Sequence, residues 1–267
     1  MRGNTHRQGN HDKPAHPTHH YPEARQSRVP PSAVVQKQLQ MVADFKDRVD
    51  AGRQLAAAVV RLGLVDPLVL ALPRGGVPVA AQVARALHAP MDLLMVRKIG
   101  APGQPELAVA AMAAGNPPTV VIDERTSQVT EGDHAYIKRE VTTQCAEIQR
   151  RCKTYRRGAA PLAVAGKTIV LVDDGIATDT TVRAALKALR RLRPAKLVLA
   201  VPIASSDTLY ELSELVDDAV CLSEPAHFRS VGPYDADFQQ VGDEVIALLE
   251  ASRAAHAKEL AARTLLS

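Results

Sequence analysis

The sequence predicts an α/β protein with a doubly wound, largely parallel sheet flanked by helices. Short apolar, β-branched runs alternate with longer stretches of helical periodicity, the pattern that βαβ units leave in a chain. Two of these runs stop abruptly in loops of small residues, Pro73-Arg74-Gly75-Gly76 and Asp173-Asp174-Gly175, each followed by a helical pattern. The 267 residues, 46% hydrophobic and 23% charged, suffice for a sizeable core. With 3% aromatics and no Trp, that core must be built from Ala, Val and Leu.

Residues 1–32 hold five of the nine histidines (His6, His11, His16, His19, His20) among Gly, Asn, Pro and Gln. Such a segment buries too little apolar surface to fold alone and reads as a solvated tail, its irregular His spacing arguing against a metal site. The folded domain is expected over residues 33–251, with an Ala-rich tail over residues 252–267 that extends the last helix or frays.

Within the domain, residues 32–62 have helical periodicity (Val35, Leu39, Val42, Phe45, Val49, Leu55, Val59, Leu62), with a break near Gly52. Residues 68–72 form the first buried strand, and residues 77–87 a helix. Residues 91–96 form a second parallel strand ending in Arg97-Lys98. Residues 99–107, with Gly100, Pro102, Gly103 and Pro105, read as a loop too rich in breakers for regular structure. Residues 108–113 and 119–122 read as a hairpin or short strands around Gly115-Asn116-Pro117-Pro118. Residues 130–155 form a long polar helix with an apolar stripe of Ile137, Val141, Cys145, Ile148 and Cys152. After the strand Thr168–Val172 come a helix (181–192), a strand (196–201) ending at Pro202, a helix (205–215), an edge strand (218–222), an irregular segment (225–234) and a closing helix (238–249).

Composition narrows the function class. Three cysteines (Cys145, Cys152, Cys221) lack metal-ligand spacing and point to a reducing, cytoplasmic setting rather than a disulfide framework. No apolar run approaches the length of a membrane span, and no signal peptide is visible. A formal charge of +4 suits anionic ligands without calling for nucleic acid. The basic cluster at residues 150–157 reads as a solvated face at a helix C-terminus, so no nucleic-acid partner is expected.

The chemistry concentrates at the two strand–loop–helix junctions. Open α/β sheets bind ligands beyond the carboxyl ends of their strands. There Asp173 and Asp174 can accept hydrogen bonds from vicinal hydroxyls. Gly175, Ala177, Thr178, Asp179, Thr180 and Thr181 lead into a helix N-terminus, where backbone N–H groups and hydroxyls suit a phosphate. In the earlier junction, Gly75 and Gly76 let backbone approach an anion closely and Arg74 supplies charge. Arg97 and Lys98 could neutralise a second anionic group, with the loop that follows closing over it.

The acidic pair and its loop resemble the binding signature for 5-phosphoribosyl 1-diphosphate (PRPP) in type I phosphoribosyltransferases. Over residues 45–249 the combination FKDRVDAGRQLA, LALPRGGVPVAAQVARAL, DLLMVRKIGAPGQPELAVAAMA, VDDGIATDTTVRAAL and FRSVGPYDADFQQV resembles a bacterial branch of that family whose substrates are largely unassigned. The resemblance implies a type I fold with a small hood, and transfer of phosphoribose to an unidentified, nitrogenous acceptor with release of pyrophosphate. It implies that Asp173 and Asp174 hold the ribose hydroxyls, that residues 177–181 wrap the 5-phosphate, and that Arg74, Gly75 and Gly76 bind pyrophosphate with Arg97 and Lys98 beside it. Mg²⁺ would bridge ligand oxygens through the ligand and water, and a homodimer is compatible with the fold. Hood candidates are residues 45–52 and 228–234.

The chain departs from the family pattern twice. Ala177 stands where 6-oxopurine salvage enzymes carry an Asp, which argues against hypoxanthine or guanine. Asp179 replaces the phosphate-loop Gly, and a carboxylate about 4 Å from a phosphate charge is repelled by roughly 4 kcal/mol at an effective dielectric of about 20. Asp179 would also serve as an N-cap for the helix behind it. It therefore motivates an alternative, a catalytically degenerate PRPP- or nucleotide-binding regulatory protein.

Overall fold

The structure is a computed structural model that describes residues 34–35, 45–114, 118–130, 134–176, 180–225 and 241–264. All of these lie in the unit Ser32–Ser267. In chain order its elements are β1 (Val34–Val35), α1 (Arg48–Val60), β2 (Pro67–Ala71), α2 (Gly76–Ala86), β3 (Met91–Leu93), β4 (Val96–Ala101), β5 (Gln104–Ala113) and β6 (Thr119–Ile122). There follow α3 (Glu124–Val129), α4 (His134–Arg156), β7 (Thr168–Val172), α5 (Thr180–Arg191), β8 (Lys196–Ile203), α6 (Ser206–Ser213), β9 (Asp218–Ser223) and α7 (Val241–Thr264).

Six strands form a parallel sheet in the order β1-β9-β8-β7-β2-β3. Parallel neighbours need helical crossovers, which cover both faces, so the strands are apolar on both sides rather than alternating with polar residues. Every residue of β7 is buried, as is all of β8 except its two ends. The two-residue period still sorts the side chains by size. Leu68, Leu70, Ile169, Leu171, Leu197 and Leu199 face one way, packing with Leu186 and Leu189 of α5 and Leu209 and Leu212 of α6. Val69, Ala71, Val170, Val172, Val198 and Ala200 face the other, packing with α1, α2 and α7. On that face α1 and α2 approach closely at Gly52. A Cβ on Gly52 of α1 would stand 2.9 Å from the Val79 carbonyl oxygen of α2.

From β2 the chain moves outward to β3, then returns to the opposite side of β2 for β7, β8 and β9. The reversal opens a crevice between the carboxyl ends of β2 and β7, the place where doubly wound sheets bind ligands. Between β3 and β7, strands β4, β5 and β6 form a separate antiparallel sheet that packs on α5. Among the described residues, no helix is long and apolar enough to cross a membrane.

Several sequence expectations are corrected. Val34 and Val35 are not helical; they pair in parallel with Asp218 and Ala219, so β9 is not an edge strand. Two adjacent β-branched residues after Pro30-Pro31 suit an extended segment, and helical spacing through Val35 concealed it. Arg97 and Lys98 lie inside β4 rather than at the end of a parallel strand, which closes at Leu93. Residues 99–107 are not an irregular loop, because β4 and β5 pair antiparallel across them. The breakers sit where the hairpin needs them, with Gly103 at φ 71° in the turn and register shifts flanking Gly100. Pro202 lies within β8 rather than ending it. The last residue that β8 pairs with β7 is Ala200, so Pro202 falls beyond that ladder while pairing with β9 continues to Ile203. The long polar helix begins at His134, while Thr130 closes the turn after α3 with its hydroxyl donating to the Thr126 carbonyl. The closing helix is described over Val241–Thr264 and extends through most of the segment expected to extend it or fray. The expected irregular segment 225–234 and Phe238 fall almost entirely outside the described residues.

Candidate functional site

Two junctions meet in the β2/β7 crevice. The loop after β2 turns tightly: the Gly76 amide donates to the Leu72 carbonyl and the Val77 amide to the Arg74 carbonyl, both at 3.1 Å, and the Pro73–Arg74 peptide is cis. Gly75 caps α2, whose positive end faces the crevice. A Cβ on Gly75 would fall on the Asp174 carboxylate, and one on Gly76 would lie 2.8 Å from the Val172 carbonyl oxygen. Glycine is required at both positions because the loop packs directly against the acidic pair. Arg74-Gly75-Gly76 and Asp173-Asp174 stand some 100 residues apart in the sequence, and the fold joins them.

The two carboxyls differ. The Asp173 Oδ1 accepts from the Asp174 amide at 3.0 Å. Desolvation, followed by the neighbouring Asp174 charge, pushes the Asp173 carboxyl well above the usual carboxylate range. Asp174 Oδ2 instead accepts from Arg48 Nε at 2.8 Å, with the two side chains 14% and 26% exposed respectively. Two carboxyls this close disfavour being charged together, which adds to the desolvation acting on Asp173. The pair therefore offers one carboxyl group held by an arginine and one that is desolvated.

Beside the crevice, Arg97 Nε donates to Gln144 Oε1 at 3.0 Å, fixing β4 to α4. Arg97 and Thr181 line two adjoining cavities. One, of about 160 Å³, also has Pro73, Glu147 and Arg151 in its wall. The other, of about 580 Å³, is lined by Lys98, Tyr136 and Gln144 as well. The loop after β2, the start of the β4–β5 hairpin and the first turn of α5 are thus neighbours. Lys98 reaches only the larger cavity. Ala177, Thr178 and Asp179 lie outside the described residues; Thr180 opens α5.

Sequence reasoning missed Arg48 and the Glu147–Arg151 pair. Arg48 was visible only as part of a candidate hood segment, because its partner lies 126 positions away. Glu147 accepts from Arg150 at 2.8 Å and from Arg151 at 2.6 Å, and these two arginines pull its carboxyl down to about 2. Of the cluster expected to be a solvated basic face, Arg150, Lys153 and Arg157 are exposed, Arg157 also meeting Glu250 at 2.8 Å, while Arg156 departs from it by meeting buried Asp92 at 2.9 Å.

The doubly wound α/β sheet thus brings a glycine turn, an acidic pair and a helix N-terminus together at its switch-point crevice. The profile of the phosphoribosyl transferase domain matches residues 38–239, and the chain belongs to that family. It is 44% identical over 207 residues to a Mycobacterium tuberculosis H37Rv protein provisionally named a phosphoribosyl transferase, matching 77% of this chain and 46% of the relative. The chain thus spans about half the length of the curated relatives it matches. The crystal structure of TT1426 from Thermus thermophilus is similar with a TM-score of 0.69 and 40% identity, over 78% of this chain and 98% of that one.

Proposed function

We propose that this protein transfers phosphoribose from PRPP to a nitrogenous acceptor, releasing pyrophosphate. The observation that carries this reading is the packing of Gly75 against the Asp174 carboxylate, which makes one wall from the expected pyrophosphate loop and the expected ribose-binding acids. In this reading Asp173 and Asp174 accept from the ribose hydroxyls, Asp174 being oriented by Arg48. Arg74, the α2 N-terminus and Arg97 with Lys98 stabilise the leaving pyrophosphate, and Thr180 and Thr181 with residues 177–179 hold the 5-phosphate. The C1–O bond to pyrophosphate breaks with its electron pair, the acceptor nitrogen bonds to C1, and the acceptor gives up its proton. Geometry and charge neutralisation supply the acceleration, since the transition state has oxocarbenium character.

The donor set fits Mg²⁺ only as an ion carried chiefly by the ligand. Among the described residues, no three His, Cys, Asp or Glu side chains could cage a metal. Two carboxylates suit the waters of such an ion, which would neutralise diphosphate charge.

The test is ³¹P NMR of PRPP with Mg²⁺, the protein and a panel of nitrogenous acceptors. Protein-dependent pyrophosphate release that Asp174→Asn abolishes supports transfer. Absence of turnover with every acceptor and with water contradicts it. The second reading, a PRPP- or nucleotide-binding regulatory protein, is favoured by Asp179 in the phosphate loop. It predicts binding without turnover, with turnover appearing in Asp179→Gly.

A further inference from the structure

Arg48 forms a long-range ion pair with the acidic loop, and nothing in the expected ligand scheme uses it. It stands in the first turn of α1, behind Asp47, whose carboxylate caps the helix by accepting from the Asp50 amide at 2.8 Å. The cap fixes the helix start, and close packing of Gly52 on Val79 fixes the helix against α2. The Arg48 guanidinium is thereby delivered to the crevice from a rigid element and meets Asp174 at 2.8 Å. An arginine held in this way orients a carboxylate through a charge-assisted hydrogen bond and leaves the carboxylate's second oxygen to another donor.

We infer that Arg48 is a positioning residue of the sugar-phosphate site, holding the Asp174 carboxyl group oriented to accept a ribose hydroxyl. The inference rests on the proposed function. Asp173 and Asp174 come from the β7 loop, and Arg48 from α1. From the β2–α2 loop, Gly75 presents backbone to Asp174, with Arg74 next in sequence. Of these, the Arg48 charge opposes protonation of the pair, which desolvation and mutual repulsion favour. Without Arg48 the Asp173 carboxyl loses a charge that favours its ionised form and takes up its proton at higher pH, while Asp174 loses the donor that orients it.

The test is calorimetric titration of PRPP with Mg²⁺, and separately of ribose 5-phosphate, into the full chain from pH 5.5 to 8.5. Wild type is compared with Arg48→Met and Arg48→Lys, each checked by circular dichroism and thermal melting. The ligand's own titration is common to all three proteins and cancels in the comparison. Loss of one charged hydrogen bond predicts about tenfold weaker binding by Arg48→Met at neutral pH. The acid limb of its affinity profile moves up by about one pH unit, the effect of removing an opposite charge at this distance. Arg48→Lys restores the limb in part. Unchanged affinity in Arg48→Met, or a loss uniform across pH that Lys does not repair, overturns the inference while leaving the proposed function standing. If Arg48→Met does not fold, the Lys variant decides: a profile displaced less than half a unit and binding within twofold of wild type support the inference, and a uniform tenfold loss overturns it. No binding of either ligand by wild type at any pH overturns the proposed function and the inference with it.

Discussion

At the scale of single residues, Gly75 bears on binding, and Asp173 bears on binding and stability in opposite directions. A Cβ at Gly75 collides with the Asp174 carboxylate, so Gly75→Ala must displace that carboxylate or the loop. It is expected to weaken PRPP binding by about tenfold or more, the worth of a charge-assisted hydrogen bond, as read by calorimetry at neutral pH. Asp173 is a cost to the empty protein, because its folded pKa lies above the ordinary value near 3.8. A carboxyl raised by folding costs nothing below its unfolded pKa; its cost grows as the pH rises from there and levels off above the raised value. Asp173→Asn is therefore expected to raise Tm at pH 7, with the gain disappearing as the pH falls below about 4, and to weaken ligand binding at the same time. Differential scanning calorimetry across pH measures the first effect. The acids and glycines were legible in the sequence because the types of side chain reveal the chemistry. The Arg48–Asp174 pairing was not, because 126 positions of chain separate partners that only the α1–α2 packing brings together.

At the scale of elements, the join between β3, α4 and the segment beyond α4 rests on a buried carboxylate. Asp92, 1% exposed, accepts from Arg156 at 2.9 Å and from the Leu162 amide at 3.0 Å, while Arg156 also donates to the Leu93 carbonyl at 2.7 Å. Arg156→Met leaves that buried carboxylate with the longer Arg253 ion pair at 3.5 Å in place of its close one, at a cost of about 3–5 kcal/mol. For a domain of this size the expected fall in Tm is roughly 6–20 °C, measured by thermal denaturation. Asp92→Asn with Arg156→Met is expected to recover part of the loss. Central strands and amphipathic helices were readable from periodicity, since burial on both faces leaves continuous apolar runs. The β4–β5 hairpin was not. Its Gly and Pro residues carry the same letters in a structured turn and bulge as in an irregular loop, and only pairing with the partner strand distinguishes the two. Pro202 misled for a related reason, because a proline ends a strand only where a ladder bond is needed from it.

At the scale of the whole molecule, function follows from strand order. The chain leaves β2 in one direction and returns on its other side, so two loops remote in sequence face each other at a single crevice. The size sorting of side chains, leucines toward α5 and α6 and valines and alanines toward α1, α2 and α7, holds that order with few aromatics. Leu199→Ala, in the fully buried middle of β8, is expected to cost about 2–5 kcal/mol, measured by denaturant unfolding, without altering the loops themselves. The most direct test of the crevice as a PRPP site is calorimetric titration of PRPP with Mg²⁺ into wild type, the Asp173→Asn/Asp174→Asn double variant and Asp179→Gly. Saturable one-to-one binding by wild type that the double variant loses, and that Asp179→Gly matches or strengthens, is the predicted result. Equal binding by wild type and the double variant, or no binding by wild type and Asp179→Gly alike, would contradict the account.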